Sequence, residues 1–163
     1  MDFTLSKLEQ TLRSLENLLI DDAADLNERL SMQDPLIRHT PAAFLDACRQ
    51  NQASFRPFGL HERWGKVNES RVFRLPVAIP DRFTGKTVYL KLITGREGGY
   101  TAFNPQFLAY VDGQLRQGLD INHTLLHLYD AAASGQEIEI LLHAFAGTEP
   151  GLMELRTTLV SIH

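Results

Sequence analysis

The stretch Gln106-Phe107-Leu108-Ala109-Tyr110-Val111-Asp112-Gly113 decides the fold. A strand-like run from Gln106 to Val111 ends at Asp112-Gly113. Both turn positions tolerate a positive φ, which is what a two-residue hairpin requires. Antiparallel pairing is therefore expected at this point, and runs of the same kind lie on either side. Upstream, Val72, Phe73, Leu75, Val77 and Ile79 alternate for most of their length and stop at Pro80, and Thr87 to Ile93 forms a second run. Downstream come Thr124 to Leu128, Glu137 to Phe145, and Leu152 to Ile162, the last alternating at Leu155, Thr157, Leu159 and Ser161. Short strands at this spacing, with no helical pattern between them, predict an antiparallel β-sandwich rather than a parallel sheet. Asp130 to Ser134 reads as one helical turn closed by Gly135.

Composition divides the chain in two. All 11 glycines lie at or after Gly59, and Phe3 and Phe44 are the only aromatic residues before residue 55. A glycine-free, aromatic-poor segment reads as helical, and its opposite reads as strands and turns. The predicted organisation is a helical segment over 1–54 and a β-sandwich over 55–163. Ser6 and Glu9 fit a capping box that opens a helix running to Asn27 or beyond. Its apolar stripe is Leu5, Leu8, Leu12, Leu15, Leu19, Leu26 and Leu30. That stripe either docks on its own domain or packs against something else: another subunit, making a homo-oligomer through the N-terminal helix, or a neighbouring domain outside this chain. A second helix is expected from Thr40 as N-cap, with Pro41 at its first position, to Gln50, burying Phe44, Leu45 and Cys48.

The bulk numbers exclude several function classes. At 163 residues the chain is one domain's worth and long enough for a self-sufficient core. A net charge of −4 argues against nucleic acid as a partner. No apolar run is long enough to span a membrane. The single cysteine, Cys48, excludes an internal disulfide and fits a reducing compartment, and the start of the chain lacks signal-peptide features. A cytoplasmic location is the expectation.

The motifs of enzyme chemistry are missing. The chain has no Walker A sequence, no dinucleotide-binding glycine pattern, no nucleophile elbow and no Cys-x-x-Cys. His123 and His127 would share a helix face, but the local pattern is a strand, where they stand too far apart to share a metal. No pair of carboxylates is marked out by its spacing for glycosidase chemistry. Sugar binding has better support. Trp64, Tyr100 and Phe103 sit in loop-like segments, where their rings either plug the edge of the core or stack on sugars. Asp120, Asn122 and His123 follow a glycine, where such residues either fix a loop or touch a ligand.

The segment from Gly85 to Gly147 also carries a resemblance. It contains Gly85-Lys86-Thr87-Val88-Tyr89-Leu90, then Tyr110-Val111-Asp112-Gly113, then Gln117-Gly118-Leu119-Asp120-Ile121-Asn122-His123, and last Ala144-Phe145-Ala146-Gly147. In this it resembles the N-terminal β-sandwich of α-mannosidases of glycoside hydrolase family thirty-eight. The likeness covers roughly residues 58–150. The tryptophan that usually precedes the residue matching Phe73 is absent. The resemblance implies a galactose-binding-domain-like jelly roll preceded by helices, acting as a non-catalytic accessory domain. It further implies a catalytic domain outside this chain, which would hold a divalent metal, zinc being expected, between His and Asp ligands. No such His-x-Asp motif occurs here, so no catalytic or metal residue carries over. The implied partners are that catalytic domain and mannosides, with Trp64, Tyr100, Asp120, Asn122 and His123 as the candidate carbohydrate contacts.

Overall fold

A computed structural model of the protein describes residues 7–8, 11, 19–33, 41–50, 54–97, 104–148 and 150–162. Ten strands form its framework: β1 (Ile20–Asp25), β2 (Ser31–Gln33), β3 (Arg56–Pro57), β4 (Ser70–Ala78), β5 (Thr87–Ile93), β6 (Gln106–Val111), β7 (Gln114–Asp120), β8 (Leu125–Tyr129), β9 (Glu137–Phe145) and β10 (Arg156–Ile162). They form a four-stranded sheet, order β1-β10-β5-β8, and a six-stranded sheet, order β3-β2-β4-β9-β6-β7. Every strand pair is antiparallel.

Alternation explains the layering, because successive strand side chains point to opposite faces. Phe73, Leu75 and Val77 of β4 share one buried cluster with Ile140, Leu142 and Ala144 of β9. Val88, Leu90 and Leu92 of β5, Leu126 of β8 and Leu159 of β10 join the same cluster from the other sheet. One core therefore serves both sheets. The β6–β7 hairpin turns at Asp112 (φ 47°) and Gly113 (φ 82°), the positive values its two-residue loop demands.

The six-stranded sheet has a second, smaller layer outside it. A helix, Pro41–Gln50, lays Phe44 and Cys48 against Val72, Tyr110 and Leu141 of the outward face. Phe44 stacks on His143 with centroids 4.7 Å apart and 14° between planes.

The N-terminal expectation needs correction. The residues described before Ile20 (Lys7, Leu8, Thr11 and Leu19) are helical, but Ile20–Asp25 is a strand. Leu26 and Leu30 belong to the β core, not to a helical stripe, while Leu8 and Leu19 are exposed. Leu5, Leu12 and Leu15 lie outside the described residues, as does Thr40. The strand is held by partners far along the chain. β1 pairs with β10, Arg82 Nε donates to Asp22 at 2.7 Å, and Lys86 Nζ lies 2.7 Å from Asp21. Just after β1, the buried Asn27 brackets β10. Its Nδ2 donates to the Leu155 carbonyl at 2.8 Å, and its Oδ1 accepts from the Thr157 N–H at 2.7 Å.

The second correction is at Ala131–Gly135, where the chain makes a turn rather than a helical turn, with Gly135 at φ 78°. The backbone of Ala132 bonds Gly85 and Lys86 there, an exchange no helix could offer.

Candidate functional site

Trp64 is the first candidate to place, and it is 2% exposed. Its backbone bridges Met153, with hydrogen bonds of 2.9 and 2.8 Å, and its ring meets Phe73 and Phe107 edge-on. The ring plugs the core and offers no face to a sugar. Tyr100 and Phe103 lie outside the described residues.

Asp120, Asn122 and His123 are brought together at the end of β7. Asp120 Oδ1 accepts the backbone N–H groups of Asn122 and His123, both at 2.8 Å, and contacts His123 Nδ1 at 3.0 Å. The backbones of Asp120 and His123 bond each other in both directions, at 3.0 and 3.2 Å. Ile121 plugs into the core between them. One carboxylate thus organises the turn, which is the loop-fixing reading of this motif. His123 and Asn122 remain on the surface.

A different constellation lies on the outward face of the six-stranded sheet. The strand period puts Arg74 and Pro76 of β4 beside Leu141 and Glu139 of β9 on that face. The Arg74 guanidinium meets Glu139 through Nε at 2.9 Å and Nη2 at 2.8 Å, both on Oε2. Asp112, on the β6–β7 turn, extends the ladder. Its N–H donates to the Glu139 carbonyl at 2.9 Å, and its Oδ1 accepts from the Glu139 N–H at 2.8 Å. Arg49 reaches over from the helix, and a Cβ on Gly113 would stand 3.3 Å from its Nη2.

These groups line a cavity of about 280 Å³ walled by Leu45, Phe55 and Leu141. A neighbouring hollow of about 350 Å³ shares Asp112 and Glu139 and adds Arg29 and Glu137. Cys48 also lines the cavity, and burial, reinforced by the Glu139 charge, pushes its thiol up to about 11. It therefore stays protonated and inert. Burial also raises the Tyr110 phenol and lowers the His143 imidazole. Among the described residues, no three His, Cys, Asp or Glu side chains converge so as to hold a metal.

Sequence reasoning missed this cleft. Its parts come from β4, a hairpin turn, β9 and a helix, and only the pairing register assembles them.

No protein-family model matches the chain, and no curated protein matches it. Solved structures do. A structure described as a β-galactosidase from Bacteroides fragilis matches with a TM-score of 0.55 at 15% identity, over 87% of this chain and 23% of that one. A β-glucuronidase from Ruminococcus gnavus in complex with D-glucuronic acid matches with a TM-score of 0.55 at 9% identity, over 86% and 29%. A β-glucuronidase from an uncultured Clostridium matches with a TM-score of 0.54 at 8% identity, over 86% and 29%. The fold is therefore shared with a part of these proteins. This chain spans about a quarter of their length.

Proposed function

We propose that this chain is a non-catalytic accessory domain of a larger glycoside hydrolase. The observation that carries the reading is the lopsided coverage. Nearly the whole chain matches, yet it corresponds to 23–29% of each glycosidase quoted above. The absence of a marked carboxylate pair in the sequence agrees with a domain that leaves bond cleavage to another. That other domain is the partner we propose, and any divalent metal the parent uses would sit within it. On the outward face, Leu108 and Phe145 are 43% and 39% exposed and stand diagonally across the β6–β9 ladder. They offer an apolar place for the catalytic domain to rest.

Two parent activities are favoured by different observations. The motifs between Gly85 and Gly147 favour an α-mannosidase. The solved structures favour a parent acting on β-galactosides or β-glucuronides. The test is to express the whole reading frame around these 163 codons and assay nitrophenyl α-mannoside, β-galactoside and β-glucuronide. Hydrolysis of one by the long product, with none by the 163-residue chain alone, is expected. Hydrolysis by the 163-residue chain, or a frame that encodes nothing more, overturns the proposal.

A further inference from the structure

The two hollows on the outward face adjoin at Asp112 and Glu139, which line both. Their charged lining is balanced. Arg29, Arg49 and Arg74 stand against Asp112, Glu137 and Glu139 among the described residues. A site for an anion or a polycation needs an excess of one sign to hold its ligand. Balance instead suits an uncharged ligand with many donors and acceptors, since guanidinium groups only donate and carboxylates only accept. The walls Leu45, Phe55 and Leu141 ask for an apolar side on the same ligand. Hydroxyls around a rim and C–H groups on a face describe a pyranose.

Asp112, Arg74 and Glu139 are also held in place before anything binds. Asp112 is fixed by its bond to the Glu139 N–H, at 2.8 Å. Arg74 spends both contacting nitrogens on Glu139 Oε2, which leaves Oε1 outside that pair. Groups fixed in advance lose little freedom on binding. The hollows, about 280 and 350 Å³, match the lower end of small-molecule sites, roughly 300–1,000 Å³. We infer that this cleft, between the Pro41–Gln50 helix and the six-stranded sheet, is a binding site for a neutral saccharide. The choice of a saccharide over other uncharged polyols rests on the accessory-domain reading, while the neutrality rests on the lining alone.

The experiment is a titration of the ¹⁵N-labelled 163-residue chain with methyl α-mannopyranoside and methyl β-galactopyranoside. Sodium glucuronate and spermidine serve as charged probes. The expected result is saturable shifts from a neutral glycoside at Gly113, Glu139 and residues 45–49, with Kd in the millimolar range. The charged probes bind that place more weakly. Glu139→Gln and Asp112→Asn keep size and turn geometry, and each weakens the neutral glycoside by about tenfold, the loss of one charged hydrogen-bond partner. Absence of saturable shifts with both glycosides overturns the inference. So do shifts that map elsewhere, tighter binding of a charged probe at the cleft, or wild-type affinity in Glu139→Gln whose thermal melt shows a folded protein. None of these outcomes touches the accessory-domain reading, which is tested by the activity of the longer product.

Discussion

The two faces of the six-stranded sheet are built from the same strands and differ in almost everything else. Inward, Phe73, Leu75, Ile140 and Leu142 are fully buried in a core shared with the other sheet. Outward, the same two strands carry Arg74, Glu137 and Glu139 around a cleft. The inward face is held by volume and apolarity. The outward face sets charged groups at fixed distances beside an apolar patch that the helix covers. A defect on the first should unfold the protein, and the loss of a partly solvated charge on the second should leave it folded.

The hardest test of that contrast is Phe73→Ala. Phe73 is fully buried and touches Phe58 and Trp64 edge-on. Its truncation should cost about 3–5 kcal/mol, read as a drop in the denaturant midpoint. Next comes Asn27, the polar bracket at the core's edge. Asn27→Ala strands the Thr157 N–H and the Leu155 carbonyl and should cost about 1–3 kcal/mol. A loss as large as that of Phe73→Ala would mean that the polar bracket matters as much as the apolar core.

Asp120→Ala removes the acceptor of two backbone N–H groups and should cost about 1 kcal/mol. His123→Ala should leave the melt nearly unchanged, because its ring is exposed. If His123→Ala destabilised as much as Asp120→Ala, the turn would depend on the imidazole rather than the carboxylate.

Smaller still is Glu139→Gln on the outward face. The Arg74–Glu139 pair is partly solvated, so its loss should move stability by less than about 1 kcal/mol. A collapse of the fold in this variant would break the comparison outright.

His143 supplies a pH test of the same face. Burial lowers its pKa below the ordinary 6.5, so the unfolded chain takes up its proton first. Stability is then complete above 6.5 and falls as acid is added below it. The acid slope of the melting temperature should be shallower in His143→Asn than in the wild type. Equal slopes would remove His143 as the cause.

Legibility in the sequence follows the same division. The runs at Thr87–Ile93 and Glu137–Phe145 were readable because alternation there is strong and local. Asp112-Gly113 was readable because its chemistry permits few alternatives. The leucine spacing reads Ile20–Asp25 as helix, and the structure makes it a strand. It is an edge strand with three aspartates and little apolar alternation, held by Arg82, Lys86 and β10 from far along the chain. Leucine spacing carried straight across the boundary and hid it. Trp64 read as a loop residue because glycine and charge surround it, yet its bridge to Met153 draws it inside. The Asp120 turn was legible as chemistry, since aspartate after glycine favours such loops. The cleft was not, since Arg74, Asp112 and Glu139 become neighbours only once β4, β6 and β9 are in register.

The pairing of β1 with β10 has a mechanical consequence. Ile20 lies across from Ile162, and Asp25 across from Thr158, so the chain enters and leaves the sheet side by side. A tether pulling residues 20 and 162 apart would load the ladder one rung at a time, like a zipper, instead of shearing all rungs together. Under such a load the seam would part from the Ile20–Ile162 end inward.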